Sequence, residues 1–182
     1  MDQAQKLQHL IDRQEILDCV NRYCRGLDRH DADMIASAYH DDAIDNHGRR
    51  ISDIPTFVDW VNSAHAGAFN THTHHITNHN CEIDGDVAHA ESYVFFVQRT
   101  VDGRTLQGGS GRYVDRFEKR DGVWKIALRR LVIDWRFKSD ALAWEGPAPG
   151  LFPEGRWVAE DLSYQRPLAL NAEEQSRIAR RA

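Results

Sequence analysis

Apolar residues recur every three or four positions over residues 5–29, at Leu7, Leu10, Ile11, Leu17, Val20, Cys24 and Leu27, with no proline among them. That period puts them on one face of a helix. A second, short helix is predicted over residues 32–39, with Asp31 as its N-cap. Residues 41–50 read as a loop or a short edge strand with a turn at Gly48. Ser52 or Asp53 can cap a third helix with Pro55 in its first turn, and Phe57, Trp60, Val61 and Ala64 form its apolar stripe.

The period then shortens to two. Residues 72–83 alternate up to Asp84-Gly85-Asp86, and residues 87–100 are rich in Val, Tyr and Phe and end at Asp102-Gly103. Both tripeptide and dipeptide are hairpin signals. A third strand over 104–119 contains Gly108, Gly109 and Gly111, which predict a bulge or a close backbone approach. Arg120-Asp121-Gly122 turns the chain into a fourth strand over 123–137. Helices followed by a meander of long strands predict an α+β fold rather than a doubly wound sheet.

Composition narrows the function classes. At 182 residues the chain suits one main domain, and a net charge of −5 argues against nucleic-acid binding. No apolar run is long enough to span a membrane, and the polar N-terminus lacks a signal-peptide core. Cys19, Cys24 and Cys81 are odd in number and contain no CxxC pair, against a disulfide framework or a structural zinc site. The expectation is a soluble, cytoplasmic protein. Gly108-Gly109-Ser110-Gly111 has no following lysine and is no phosphate loop.

Histidine carries the densest chemical signal: His65, His72, His74, His75, His79 and His89 fall close together. On a regular strand His72, His74, Ile76 and Asn78 share one face, and His75, Thr77 and His79 the other. Three readings follow. His72 and His74 could ligate a metal, although the glutamate of a cupin motif would stand closer to His74 than Glu82 does. One histidine could be a general base held by a carboxylate. Or the histidines are satisfied polar and core residues. Asp28, at the end of the first helix, is a carboxylate candidate. Tyr23 lies about 140° from it around the helix axis. On the fourth strand Arg129 is expected to share a face with Leu131, Ile133 and Trp135, where it needs an anion or a structural acid.

Five stretches together resemble the SnoaL-like branch of the NTF2-like superfamily over residues 5–138: ILDCVNRYCRGLD ending at Asp28, YHDDA from Tyr39, HHITN from His74, IDGD from Ile83 and YVDRFEKRDGVWK from Tyr113. The resemblance implies a cone in which a curved antiparallel sheet and the N-terminal helices enclose a pocket. Closest in pattern are hexachlorocyclohexane dehydrochlorinases, bile-acid dehydratases and scytalone dehydratases. More distant are cofactor-free lyases that remove formaldehyde from lignin-derived diarylpropanediols. It implies that Asp28 and His74 form a catalytic dyad, with Arg129 and Tyr23 stabilising a developing oxyanion. Tyr23 stands where the dehydrochlorinase carries a lysine, and Phe96 where the bile-acid enzyme carries an acid, which makes the pocket more apolar. Asn78, Trp60, Tyr113, Trp135 and Phe96 are the expected substrate contacts. The implied function is a cofactor-independent, metal-free lyase acting on a small, apolar, hydroxylated and aromatic substrate. Elimination of water and loss of a small aldehyde are both open. The alternatives are a non-catalytic binding or assembly domain and a ketosteroid-type isomerase. Relatives imply a homo-oligomer, a trimer ahead of a dimer.

The family pattern ends near residue 138. Residues 139–182 form a Pro/Gly-rich extension in which Trp144, Leu151, Phe152 and Trp157 need a surface to pack on. The expectation is that this segment packs on its own domain or on a neighbouring subunit.

Overall fold

In the computed structural model, residues 1–142 and 152–178 are described. Helix α1 spans Gln3–Arg29. Asp2 caps it in a reciprocal capping box with Gln5. Its buried positions, Asp12, Ile16, Cys19, Val20, Tyr23, Cys24 and Leu27, repeat at three and four. Leu7, Leu10 and Ile11 of the expected stripe are exposed, because the first turns of α1 extend past the sheet edge of the core. Asp12 anchors the middle of α1 by accepting from Trp124 Nε1 at 3.0 Å and Lys119 Nζ at 2.8 Å. Helix α2 (Ala32–Ser37) starts at Asp31, whose carboxylate accepts the Met34 N–H. It folds back tightly against α1. A Cβ at Gly26 would lie 2.8 Å from the Ile35 nitrogen, so only glycine permits this approach. Helix α3 (Ile54–Ala68) is capped by Asp53 and has Pro55 in its first turn.

Six strands follow or interleave: β1 (Tyr39–His47), β2 (Arg50–Asp53), β3 (Phe69–Asp84), β4 (Val87–Thr100), β5 (Thr105–Arg120) and β6 (Val123–Asp140). They form one curved, unclosed sheet in the order β2-β1-β6-β5-β4-β3. The fold class is α+β, as the element order predicts. Two details differ from expectation. Residues 39–47 are an inner strand, and β2 is the edge. The sheet is mixed, because β1 runs parallel to β6 while all other pairs are antiparallel. Polar residues at the inward positions Asp45 and His47 hide the strand alternation of β1.

Two of the sheet's register shifts re-aim residues expected in the site. On β3, Ile76 pairs with Val94 but His79 pairs with Ser92, so two residues of β3 oppose Tyr93 alone. His79 therefore turns inward and meets Ser92 Oγ at 2.8 Å, while Asn78 is exposed. On β6, Ile133 pairs with Gly111 and Trp135 with Ser110, which leaves Asp134 as an extra residue. Trp135 thus leaves the face of Arg129, Leu131 and Ile133 and stacks beside Phe95, 52% exposed. A one-residue slip inverts every later side chain. Asn78 and Trp135 are accordingly not on the face that the alternation predicts.

The core lies between α1, α3 and the concave face of the sheet, where Ile16, Val20, Leu27, Phe57, Val61, Val94, Phe117 and Ile126 pack together. Within it sits a charged pair. Arg129 donates from Nε and Nη2 to Asp115 at 2.8 and 2.6 Å, and both side chains are fully buried. The guanidinium lies between the rings of Tyr23 and Tyr113, 4.1 and 4.0 Å from their centroids. Such a cation–π box offsets part of the desolvation cost.

The chain divides into two compact units, Met1–Glu145 and Gly146–Ala182. Within the second, a single 3-10 turn (Leu162–Tyr164) and helix α4 (Ala172–Ser176) are the regular elements among the described residues. Asp161 is buried and accepts from the Arg156 and Ser163 N–H groups. Trp144 and Leu151 lie outside the described residues. No helix among the described residues is long and apolar enough to cross a membrane.

Removing one member of the buried pair leaves an uncompensated charge. Asp115→Ala is expected to lower the unfolding free energy by about 3–5 kcal/mol, measured by urea denaturation. The double variant Asp115→Leu/Arg129→Met is expected to be less destabilised than that single variant. Equal stability of Asp115→Ala and the parent would refute this account of the pair.

Candidate active site

Asp28 occupies the last turn of α1, which His30 ends in the left-handed conformation at φ 53°. A carboxylate at this inward position needs donors, and β3 supplies them. The His74 backbone N–H donates to Asp28 Oδ2 at 3.0 Å, and His74 Nδ1 lies 2.7 Å from Oδ1. His72 Nδ1 lies 3.4 Å from the same oxygen. Burial pushes the Asp28 carboxyl up, but hydrogen bonds from His72 and His74 outweigh it and bring it down to about 2. Asp28 is therefore ionised and only accepts. His74 must carry its proton on Nδ1, leaving the Nε2 lone pair as a base.

His74 lines a cavity of about 420 Å³ between the helices and the sheet. Leu27, Trp60, Val61, Val94, Phe96, Tyr113, Leu131, Ile133 and Phe137 make its wall largely apolar, with Gln98, Gln107 and Arg136 as polar points. Gly109 lets β5 and β6 approach closely beside the cavity. A Cβ there would lie 2.3 Å from the Trp135 carbonyl oxygen and 3.2 Å from the Phe96 ring.

The sequence-derived residues divide cleanly. His74, Trp60, Tyr113 and Phe96 line the cavity, and Asp28 stands behind His74. Asn78 and Trp135 do not line it, for the bulge reasons above. Nor do Tyr23 and Arg129, which lie in the core. Arg129 spends two of its nitrogens on Asp115, which places it in a structural ion pair rather than on the cavity wall as an oxyanion donor. Tyr23 Oη and Arg129 Nη1 are buried without a hydrogen-bond partner.

Sequence reasoning missed a second pair. His47 also lines the cavity, and its Nδ1 contacts Asp45 Oδ1. Asp45 is 1% exposed and accepts a further bond from Tyr39 Oη at 2.7 Å. An Asp-x-His on one face of a strand was the available signal, but residues 41–50 read as a loop or a short edge strand. His30 was missed as well, and His65, though part of the histidine cluster, was given no place in the site. His65 lines the cavity, its ring centroid 4.4 Å from that of His72, and His30 Nε2 lies 3.0 Å from His72 Nε2. Burial lowers His65 to about 2 and His30 to about 4, with the neighbouring His72 adding to both shifts. Asp28, His72 and His74, and separately His30, His65 and His72, bring ligand atoms close enough together to hold a metal ion.

The SnoaL-like domain model matches residues 8–130. The chain belongs to the SnoaL-like family, within the NTF2-like superfamily. Rv3472 from Mycobacterium tuberculosis, a protein of unknown function, is 30% identical to this SnoaL-like protein over 70% of this chain and 74% of its own, with a TM-score of 0.62. LinA is 25% identical over 79% of this chain and 98% of its own, with a TM-score of 0.68. The hexachlorocyclohexane dehydrochlorinase LinA-type3 from Novosphingobium barchaimii is 23% identical over 78% and 99%, with a TM-score of 0.70. No curated protein matches the chain.

The lowered pKa values have a stability consequence. His30 and His65 sit below the unfolded value of about 6.5, so the folded SnoaL-like domain binds fewer protons than the unfolded chain there. Their neutral state costs nothing above pH 6.5, and stability falls as pH drops from 6.5 towards 4 and below. The Asp28 contribution is full above about 3.9 and disappears as pH falls through about 2. Each fully shifted proton gives a slope of about 1.4 kcal/mol per pH unit, less for half-exposed His30 because solvent screens it. Urea midpoints are expected to fall steadily from pH 7 to pH 5, and His65→Gln is expected to flatten the profile. A flat parent profile would contradict a neutral histidine cluster.

Proposed function

We propose that this protein is a cofactor-independent lyase that eliminates water or a small aldehyde from a small, apolar, hydroxylated substrate. The observation that carries the reading is the Asp28–His74 pair on the wall of an apolar cavity. The likeness to the dehydrochlorinase, an enzyme that removes a proton and a leaving group from adjacent carbons, supports it. The cavity volume of about 420 Å³ falls within the roughly 300–1,000 Å³ of small-molecule sites.

His74 Nε2 takes the substrate proton. Asp28 orients the ring and stabilises the imidazolium that forms. Hydroxide is a poor leaving group and needs a proton as it departs. His47, held by Asp45 and facing the same cavity, supplies it. Apolar walls keep water out and strengthen each of these charge interactions.

The same two groups serve both bond types. In dehydration His74 takes a proton from carbon, a double bond forms, and the neighbouring hydroxyl leaves as water with the His47 proton. In loss of formaldehyde His74 takes the primary hydroxyl proton. The carbon–carbon bond breaks, its electrons form the alkene, and the hydroxyl one carbon further leaves as water. The rings of Trp60, Phe96, Tyr113 and Phe137 favour an aromatic substrate, and a lignin-derived diaryl diol fits the second course.

Asp28→Asn is expected to keep the fold and to lower kcat by about 10²–10⁴-fold, with KM little changed. His47→Gln is expected to lower kcat by about 10²-fold or more. Activity is expected to survive a chelator. Substrates come from a panel of aromatic diols followed by mass spectrometry for loss of water or of water with formaldehyde. Turnover of Asp28→Asn within about threefold of the parent, far short of a general-base effect, would overturn the mechanism.

A further inference from the structure

One cluster of titratable groups takes no proton-transfer role in that mechanism. His30 ends α1, His65 lies in the last turn of α3 and His72 is near the start of β3. Three separate elements thus deliver three imidazoles to one point. One ring nitrogen from each lies within 4.8 Å of the other two. His30 Nε2 and His72 Nε2 are 3.0 Å apart. Tetrahedral zinc with bonds of about 2.0–2.1 Å separates its ligand atoms by about 3.3 Å.

We propose that His30, His65 and His72 form a binding site for a divalent transition-metal ion, zinc first, beside the Asp28–His74 dyad. Two features of the cluster support this. Asp28 Oδ1 faces His72 Nδ1 at 3.4 Å, so the carboxylate favours the Nδ1–H tautomer and leaves Nε2 for the ion. That is the carboxylate–histidine–metal arrangement that orients ligands in zinc sites. His65 Nδ1 is buried without a hydrogen-bond partner, a cost that a ligand would remove.

Imidazole sets suit zinc and copper rather than magnesium or calcium. The route in is the cavity, which His65 lines. Three protein ligands leave a fourth position for water or a substrate oxygen. A bound ion draws electron density from His72 and strengthens its hold on the Asp28 carboxylate, in competition with His74. Metal at this site therefore damps the dyad rather than replacing it. The site does not depend on the lyase reading, since its ligands are distinct from His74 and His47.

The test titrates full-length protein, stripped with a chelator and desalted, with cobalt(II). The expected result is one equivalent bound with the intense visible bands of a four-coordinate ion, displaced by one equivalent of zinc. His65→Gln and His30→Asn are each expected to weaken binding at least ~10-fold. Asparagine tolerates the left-handed backbone at position 30, so that variant carries the test if His65→Gln fails to fold. His74→Gln is expected to retain the complex. The proposal is overturned if the parent forms no stoichiometric complex, or if His30→Asn binds cobalt as tightly as the parent. Loss of the complex in His74→Gln also overturns it, by assigning the ion to Asp28, His72 and His74.

Discussion

The Asp28 carboxylate is the point on which the rest of the site depends. It sits where α1 meets β3, too enclosed for water to solvate it fully. An ionised carboxylate there requires donors, and it takes the His74 backbone N–H and the His74 and His72 rings. The arrangement ties helix to strand, selects one tautomer of His74, and brings His72 into position for His65 and His30. Gly26 makes it possible, since any side chain at that position would push α2 off the end of α1.

The same rule governs the other buried charges. Asp115 meets Arg129 through two hydrogen bonds inside a tyrosine box, and Asp45 meets Tyr39 and His47. None of these carboxylates is left alone in the core, as the cost of burying an unpaired charge demands. The three pairs differ in reach. Arg129–Asp115 is sealed in the core and serves stability. The other two end in histidines on the cavity wall, where a proton can be exchanged with a ligand.

The SnoaL-like family supplies the frame but not the chemistry, because one fold hosts many reactions. The chemistry lies in the polar content of an otherwise apolar cavity. Two carboxylate–histidine pairs face it, and a third group of histidines lies at its margin. The proposed elimination needs a base and an acid on one substrate, and two such pairs on one cavity are suited to it.

Local interactions made much of this legible beforehand. The helices follow from three-to-four spacing and from caps at Asp31 and Asp53, and the hairpins from turns at Gly85 and Gly122, both at positive φ. These signals act within a few residues, so the sequence by itself determined the order of elements and the α+β class. The resemblance, not the spacing, pointed to Asp28 and His74 as partners. Tertiary structure alone decided which side chains share the cavity. One extra residue on β3 turned Asn78 out and His79 in, and one on β6 moved Trp135 to the opposite face. Register depends on how two strands pair, and no periodicity within one strand records it. Likewise Asp115 captured Arg129, His47 reached the cavity on an inner strand that reads as a loop or short edge strand, and His30 met His72 from the end of another element. Each of these contacts joins residues far apart in the chain, and only the folded backbone sets the distance between them.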